Sequence, residues 1–281
     1  MTDADNKSQW IHLTDEKSFS RLLYTNPVCF LTTINHTITT ITPTSTPNKP
    51  KRNAMVLSWI TATNNNGRFM MSVNKRRHTA SILSAGDGDG GGGSGGVGGN
   101  IEFVLCVPVK GMEDLVLNVG KTSGRWGSSK FPIDHQNDDN SSPPPPSSSI
   151  ITTCKPPKAK KKKFENGIDG LVAVKIGKVE EAPLNDDELF AIRGTVAHLK
   201  CKTYGIVGGI DGDAIDDEHH LILAEVVDAY VQSDYWNEEK KQFQPMKQSS
   251  GETPPPYMKF LGSQTFGYVV CDGNDNETDC L

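Results

Sequence analysis

Apolar residues along this chain fall mostly into runs of strand length, and few stretches show helical periodicity. Val28-Cys-Phe-Leu-Thr-Thr-Ile34 is rich in strand formers. Residues 55–62 and 67–73 make two further strand-like runs, joined through Asn64-Asn-Asn-Gly67, a strong turn signal. Residues 101–108 form another, stopped by proline. The second half adds 172–179, 195–204 with fair alternation, 220–231 as the most apolar run, and two short runs at 259–262 and 266–270. Helical patterns are predicted only over 16–23, 79–84 and 112–120, the last with Leu115 and Val119 on one face. Many short strands with few helices predict a mainly β fold, an antiparallel barrel or sandwich. No internal repeat is evident.

Two tracts interrupt this pattern, at 85–100 (Gly, Asp and Ser) and at 134–165 (Asn, Asp, Ser, Pro and Lys). Neither holds enough apolar surface to offset its ordering entropy. Without them the chain reads as one domain over 20–270, between a tail at 1–19 and another at 271–281. The glycines from Gly88 satisfy a dinucleotide-type spacing by composition alone. They follow a helix rather than a strand, so that fingerprint is rejected.

The formal net charge of −5 gives no global basic field, which argues against nucleic acid as a partner. The lysines at 155 and 158–163 carry no interleaved aromatics and read as a solvated insertion. The six cysteines are scattered, with no CxxC pair, so no structural metal is expected. His219 and His220 beside Asp216, Asp217 and Glu218 are read as a solvated loop before a strand. The polar N-terminus and the lack of a long apolar segment predict a soluble, cytoplasmic protein with no membrane partner.

The segment carrying the most chemistry lies between the strand at 67–73 and the helix at 79–84. Asn74, Lys75, Arg76, Arg77, His78 and Thr79 place guanidinium groups and a hydroxyl at a helix start, which suits a phosphate. Taken alone, the same residues read more readily as a solvated basic loop capping a helix.

The order of short motifs resembles the flavin reductase-like, FMN-binding split-barrel family, which includes flavoredoxin. The residues carrying the resemblance are Asn26-Pro27-Val28, Ser58-Trp59, Ser72 with Arg77 and Thr79, Ser123-Gly124-Arg125 with Lys130-Phe131, Ala182-Pro183-Leu184, and His219 with Glu225-Val226-Val227. The resemblance covers roughly residues 20–270, apart from the inserts, and implies an antiparallel Greek-key split β-barrel with a few short helices. By this resemblance Arg77 and Thr79 hold a flavin phosphate, helped by Ser72, Asn74 and Lys75. Met55, Val56, Leu57, Ser58 and Trp59 run beside the isoalloxazine ring, with Cys106 close to it. Ser123, Gly124, Arg125 and Lys130 close the site, and His219 is the catalytic candidate near the nicotinamide. The implied cofactors are FMN, or FAD in its place, with NAD(P)H as electron donor. The implied activity is hydride transfer to bound flavin in a homodimer, with an electron-acceptor protein or a small molecule downstream. Val56 and Cys106 stand where relatives often carry Thr and Asn, and Asp217-Glu218-His219 where they carry Gly-Asp-His. An FMN-binding storage or sensor module without efficient turnover is therefore the alternative.

Overall fold

The run around residue 30 is a strand buried on both faces, which is why it reads as unbroken rather than alternating. In the computed structural model Asn26–Pro27 (β1) leads into Cys29–Asn35 (β2). Cys29 and Leu31 enter one core, and Phe30 and Ile34 another on the opposite face. The structure describes residues 26–35, 51–84, 100–122, 130–131, 167–178, 183–207, 218–248, 250–262 and 264–270. The helix expected at 16–23, both tails, and almost all of the two inserts lie outside these residues, as do Ser123, Gly124 and Arg125.

The remaining elements follow in order. Lys51–Leu57 (β3), Ile60–Ala62 (β4) and Arg68–Asn74 (β5) precede a six-residue helix, His78–Leu83 (α1). Glu102–Val107 (β6) and Glu113–Lys121 (α2) come next, then the short pair Ala173–Val174 (β7) and Ala191–Ile192 (β8). Two long strands, Ala197–Val207 (β9) and His219–Val231 (β10), are followed by the small hairpin Trp236–Asn237 (β11) and Gln242–Phe243 (β12). Tyr257–Gly262 (β13) and Thr265–Val269 (β14) complete the set.

The main sheet has seven antiparallel strands in the order β3-β2-β6-β9-β10-β5-β4, and β1-β13-β14 form a second, smaller sheet. The sequence pattern predicts a single strand over 55–62, and the structure corrects this. The chain leaves the sheet at Ser58-Trp59 and re-enters it at the opposite edge. Three residue steps separate Leu57 from Ile60, and a chain spans at most about 3.6 Å per step. The two edges of the sheet therefore lie within about 11 Å of each other, so the sheet is curled into an open, split barrel.

One core fills the inside of this curl, with Leu31, Leu57, Phe69, Met71, Phe103 and Ile222 contributed by five strands, and α1 plugs it with Ala80 and Leu83. The other core covers the outer face of β2, β3 and β6 with Val116 and Val119 of α2, Phe131, Phe190 and Met258. The strand expected over 172–179 shrinks to two residues. Gly177, at φ +70°, turns the chain away, and its N–H donates to His198 Nδ1 at 3.0 Å. The turn at Asn64 is as the sequence indicates. Its Oδ1 accepts from the N–H groups of Asn66 and Arg68, and Gly67 takes φ +80°. Among the described residues no helix is long and apolar enough to cross a membrane.

Candidate functional site

β3 is an edge strand, and its unpaired side looks onto a cleft. In an antiparallel strand alternate residues direct both N–H and C=O to the neighbour, while those between direct them away. The Ala54 carbonyl accepts from Lys130 Nζ, so Ala54 faces away from β2, and so must Val56 two residues on. Among the described residues Val56 has no backbone partner on that side. Its N–H and C=O form an open donor-acceptor pair on the cleft wall.

The cleft is lined by Asn53, Met55, Val56, Arg77, His78, Thr79, Val119, Gly120, Thr122 and Lys130. Three elements build it. β3 supplies the floor, the start of α1 one wall, and the last turn of α2 the other. Arg77 reaches across, and its Nη1 donates to the Gly120 carbonyl at 3.0 Å. A guanidinium at a helix C-terminus meets carbonyls that carry partial negative charge.

Lys130 is the least expected member, because an ammonium is rarely buried without partners. It is only 5% exposed, and its Nζ donates to the carbonyls of Ala54 and, at 3.5 Å, Val119. Phe131 beside it is edge-on to Phe190 at 5.1 Å, which anchors this segment in the outer core. Burial, reinforced by the Arg77 charge, pulls the Lys130 pKa down to about 8. Two cations in a partly desolvated cleft repel each other until an anion lies between them. α1 has only six residues, so an anion here rests on side chains rather than on a helix dipole.

The cleft thus gathers Met55, Val56, Arg77, Thr79 and Lys130 from the sequence-predicted set. Three side chains outside the expected cofactor-binding set join them. Asn53 and His78 complete the α1 side, and Thr122 the α2 side. Asn53 had a signal: it is a polar residue on the inward face of a strand whose other inward residues are Met55 and Leu57.

Other predicted residues form a neighbouring group around the turn from β5 to α1. Asn74 Oδ1 accepts the Arg76 N–H at 2.9 Å, and the Arg77 N–H closes onto the Asn74 carbonyl. The Asn74 amide nitrogen is then left to face His219 Nε2, at 3.4 Å. The His219 ring lies 5.2 Å from Trp59, and the Ser72 N–H bonds the Trp59 carbonyl. The Lys75 N–H bonds the Glu218 carbonyl. This turn links the two groups, since it ends where the cleft begins. Ser58 sits in the crossing between the sheet edges, and Leu57 is buried in the inner core.

Cys106 is not brought to the cleft. It is fully buried in the outer core, opposite His198 on β9, and burial pushes its thiol up to about 12. Its position faces Thr195 and the Ile192 carbonyl instead of a ligand surface.

With this geometry in place, solved structures supply a comparison. The FMN-binding protein of Thermus thermophilus, solved with 1-cyclohex-2-enone, matches with TM-score 0.50 at 12% identity, covering 96% of this chain and 99% of that one. The 2-nitrobenzoate 2-nitroreductase of Pseudomonas fluorescens matches with TM-score 0.50 at 11% identity, covering 97% and 98%. This chain has the flavin reductase-like split-barrel fold. Flavoredoxin from Methanosarcina acetivorans is also similar, at TM-score 0.49 and 13% identity, covering 98% and 96%. No family model and no curated protein matches the sequence. Identities this low speak to the split barrel alone, so what the cleft binds must be argued from its own residues.

Proposed function

We propose that this split barrel binds FMN, its phosphate between Arg77, Thr79 and Lys130 and its ring along β3 towards Trp59. One observation carries the reading: two cations and a buried hydroxyl converge beside the open backbone pair of Val56. The cations suit a phosphate, and a donor next to an acceptor suits the pyrimidine edge of a flavin. A solved protein of the same fold is named as FMN-binding, which supports the choice of ligand. FAD, whose phosphates could use the same cations, is the variant of this reading.

The reaction we propose is hydride transfer from NAD(P)H. Bound flavin supplies the hydride acceptor at N5. The protein's part is to hold the phosphate at one end, to present Val56 to the ring, and to keep Trp59 and His219 on the approach side, where Asn74 fixes the imidazole. We further propose a homodimer that passes electrons to an acceptor protein or a small molecule in the cytoplasm. A second reading, a storage or sensor module, is favoured by a specific feature. Neither Val56 nor the buried Cys106 offers a side-chain hydrogen bond to tune the flavin.

The test is the visible spectrum of the FMN-saturated protein under anaerobic NADH and then NADPH. Bleaching of the flavin band within seconds is the expected result. Bound flavin that stays oxidised with both donors overturns the reductase and leaves the storage reading. Failure to bind FMN overturns both.

A further inference from the structure

Asn53 is the buried polar group that this functional reading leaves without a role. It sits on the inward face of β3 at 5% exposure, directly opposite Thr33 of β2. Its amide nitrogen donates to Thr33 Oγ1 at 3.1 Å and to Thr79 Oγ1 at 2.9 Å. Both hydroxyls are themselves buried, with Thr79 2% exposed. One side chain therefore ties the first turn of α1 to the two strands under it.

The direction of these bonds matters. A hydroxyl has one hydrogen to give and two lone pairs to receive. Thr79 Oγ1 spends a lone pair on Asn53, and its own hydrogen has no acceptor among the described residues. A threonine in a first helical turn can otherwise turn that hydrogen back onto a carbonyl of the preceding turn. Held from behind by the Asn53 amide, and lining the cleft beside Arg77 and Lys130, it has the cleft as its outlet.

We propose that Asn53 is a positioning residue for the anion. Its amide holds Thr79 Oγ1 as an acceptor and so aims the Thr79 hydroxyl hydrogen at a phosphoryl oxygen between Arg77 and Lys130. The inference rests on the phosphate reading of the cleft. It adds that discrimination between a phosphorylated flavin and its unphosphorylated counterpart is set partly by a residue that need not touch the ligand.

The experiment is a double-mutant cycle read with two ligands, FMN and riboflavin, by quenching of flavin fluorescence. Asn53→Leu, of similar volume and without donors, should weaken FMN about tenfold and change riboflavin less than twofold. Thr79→Val should do the same, and Thr79→Ser should keep the FMN preference. The double variant Asn53→Leu with Thr79→Val should be no worse than either single variant, because both act through one hydrogen. Equal losses for both ligands, or losses that multiply in the double variant, overturn the positioning role while leaving the phosphate reading intact. Should Asn53→Leu fail to fold, Asn53→Ser replaces it in the cycle. A wild-type protein that binds riboflavin as tightly as FMN overturns the phosphate reading, and the role of Asn53 with it.

Discussion

Lys130 makes the cleft sensitive to pH. Its amine, ordinarily near 10.5, is lowered to about 8 by burial and then by Arg77. A phosphate favours the charged form, so FMN affinity should be level below pH 8 and weaken above it, by at most tenfold per unit. Riboflavin affinity should stay flat over the same range, and fluorescence titration of both ligands checks this. The stability of the apoprotein should run the other way. Between about 8 and 10.5 the unfolded chain holds more protons at this site than the folded one, so stability rises with pH there. Lys130→Met should consequently weaken FMN by about tenfold or more without destabilising the apoprotein, since it removes a desolvated charge. His198 behaves in a related way at lower pH. Burial lowers it from 6.5 to about 4, and the Gly177 N–H bond to Nδ1 together with Thr195 Oγ1 at Nε2 fits the neutral ring. As pH falls from 6.5 to 4 only the unfolded chain gains this proton, which costs up to about 3 kcal/mol of stability. Denaturant melts across that window should show a steeper loss for wild type than for His198→Gln.

Among elements, the turn after β7 shows how one glycine decides where a strand stops. Residues 172–179 have strand composition, yet among the described residues of this stretch only Ala173–Val174 pair. Gly177 lies at φ +70°, and a Cβ added there would sit 2.6 Å from the Tyr230 ring. Gly177→Ala should destabilise the protein by about 2 kcal/mol, from a left-handed backbone and a ring displaced together. Adding Tyr230→Ala should recover the steric share and leave about 1 kcal/mol of backbone strain; thermal melts of the two variants separate the shares. The isolated glycine is the one local sign of this turn, whereas the ring that occupies the space of a side chain there comes from β10. By contrast β2, β5, β6 and β10 are legible from composition, since each is covered by a core that its own apolar residues build. The helix at 113–121 is legible for the same reason, with Val116 and Val119 on its buried face. The site was legible where chemistry is local. Arg77 and Thr79 follow from the turn that carries them, whereas Lys130 becomes a cleft residue only through carbonyls on β3 and α2, and Asn53 only through a helix placed over it.

For the whole molecule, the decisive link is the crossing at Ser58-Trp59. An apolar run over 55–62 says strand, but strand composition does not say which edge of a sheet a residue joins. Here the two halves pair with β2 and with β5, at opposite ends of a seven-stranded sheet. The crossing is short, so it holds the edges together and sets the open face of β3 beside the Trp59 and His219 group. Inserting two glycines between Ser58 and Trp59 lengthens it without altering any site residue. Loop-closure entropy alone would change stability by well under 1 kcal/mol, a shift of about 2 °C or less in melting temperature for a domain of this size. A larger fall is therefore expected from loosening of the Ser72 N–H to Trp59 carbonyl bond and of the sheet edges it links. FMN binding should weaken at least tenfold on the proposed placement, because the proposed phosphate site stays on α1 and Lys130 while the ring would lose its fixed relation to Trp59. Inorganic phosphate, used as a competitor against FMN, should bind the insertion variant as it binds the wild type. A variant that melts and binds FMN like the wild type would show that the crossing only connects the two edges and does not position them.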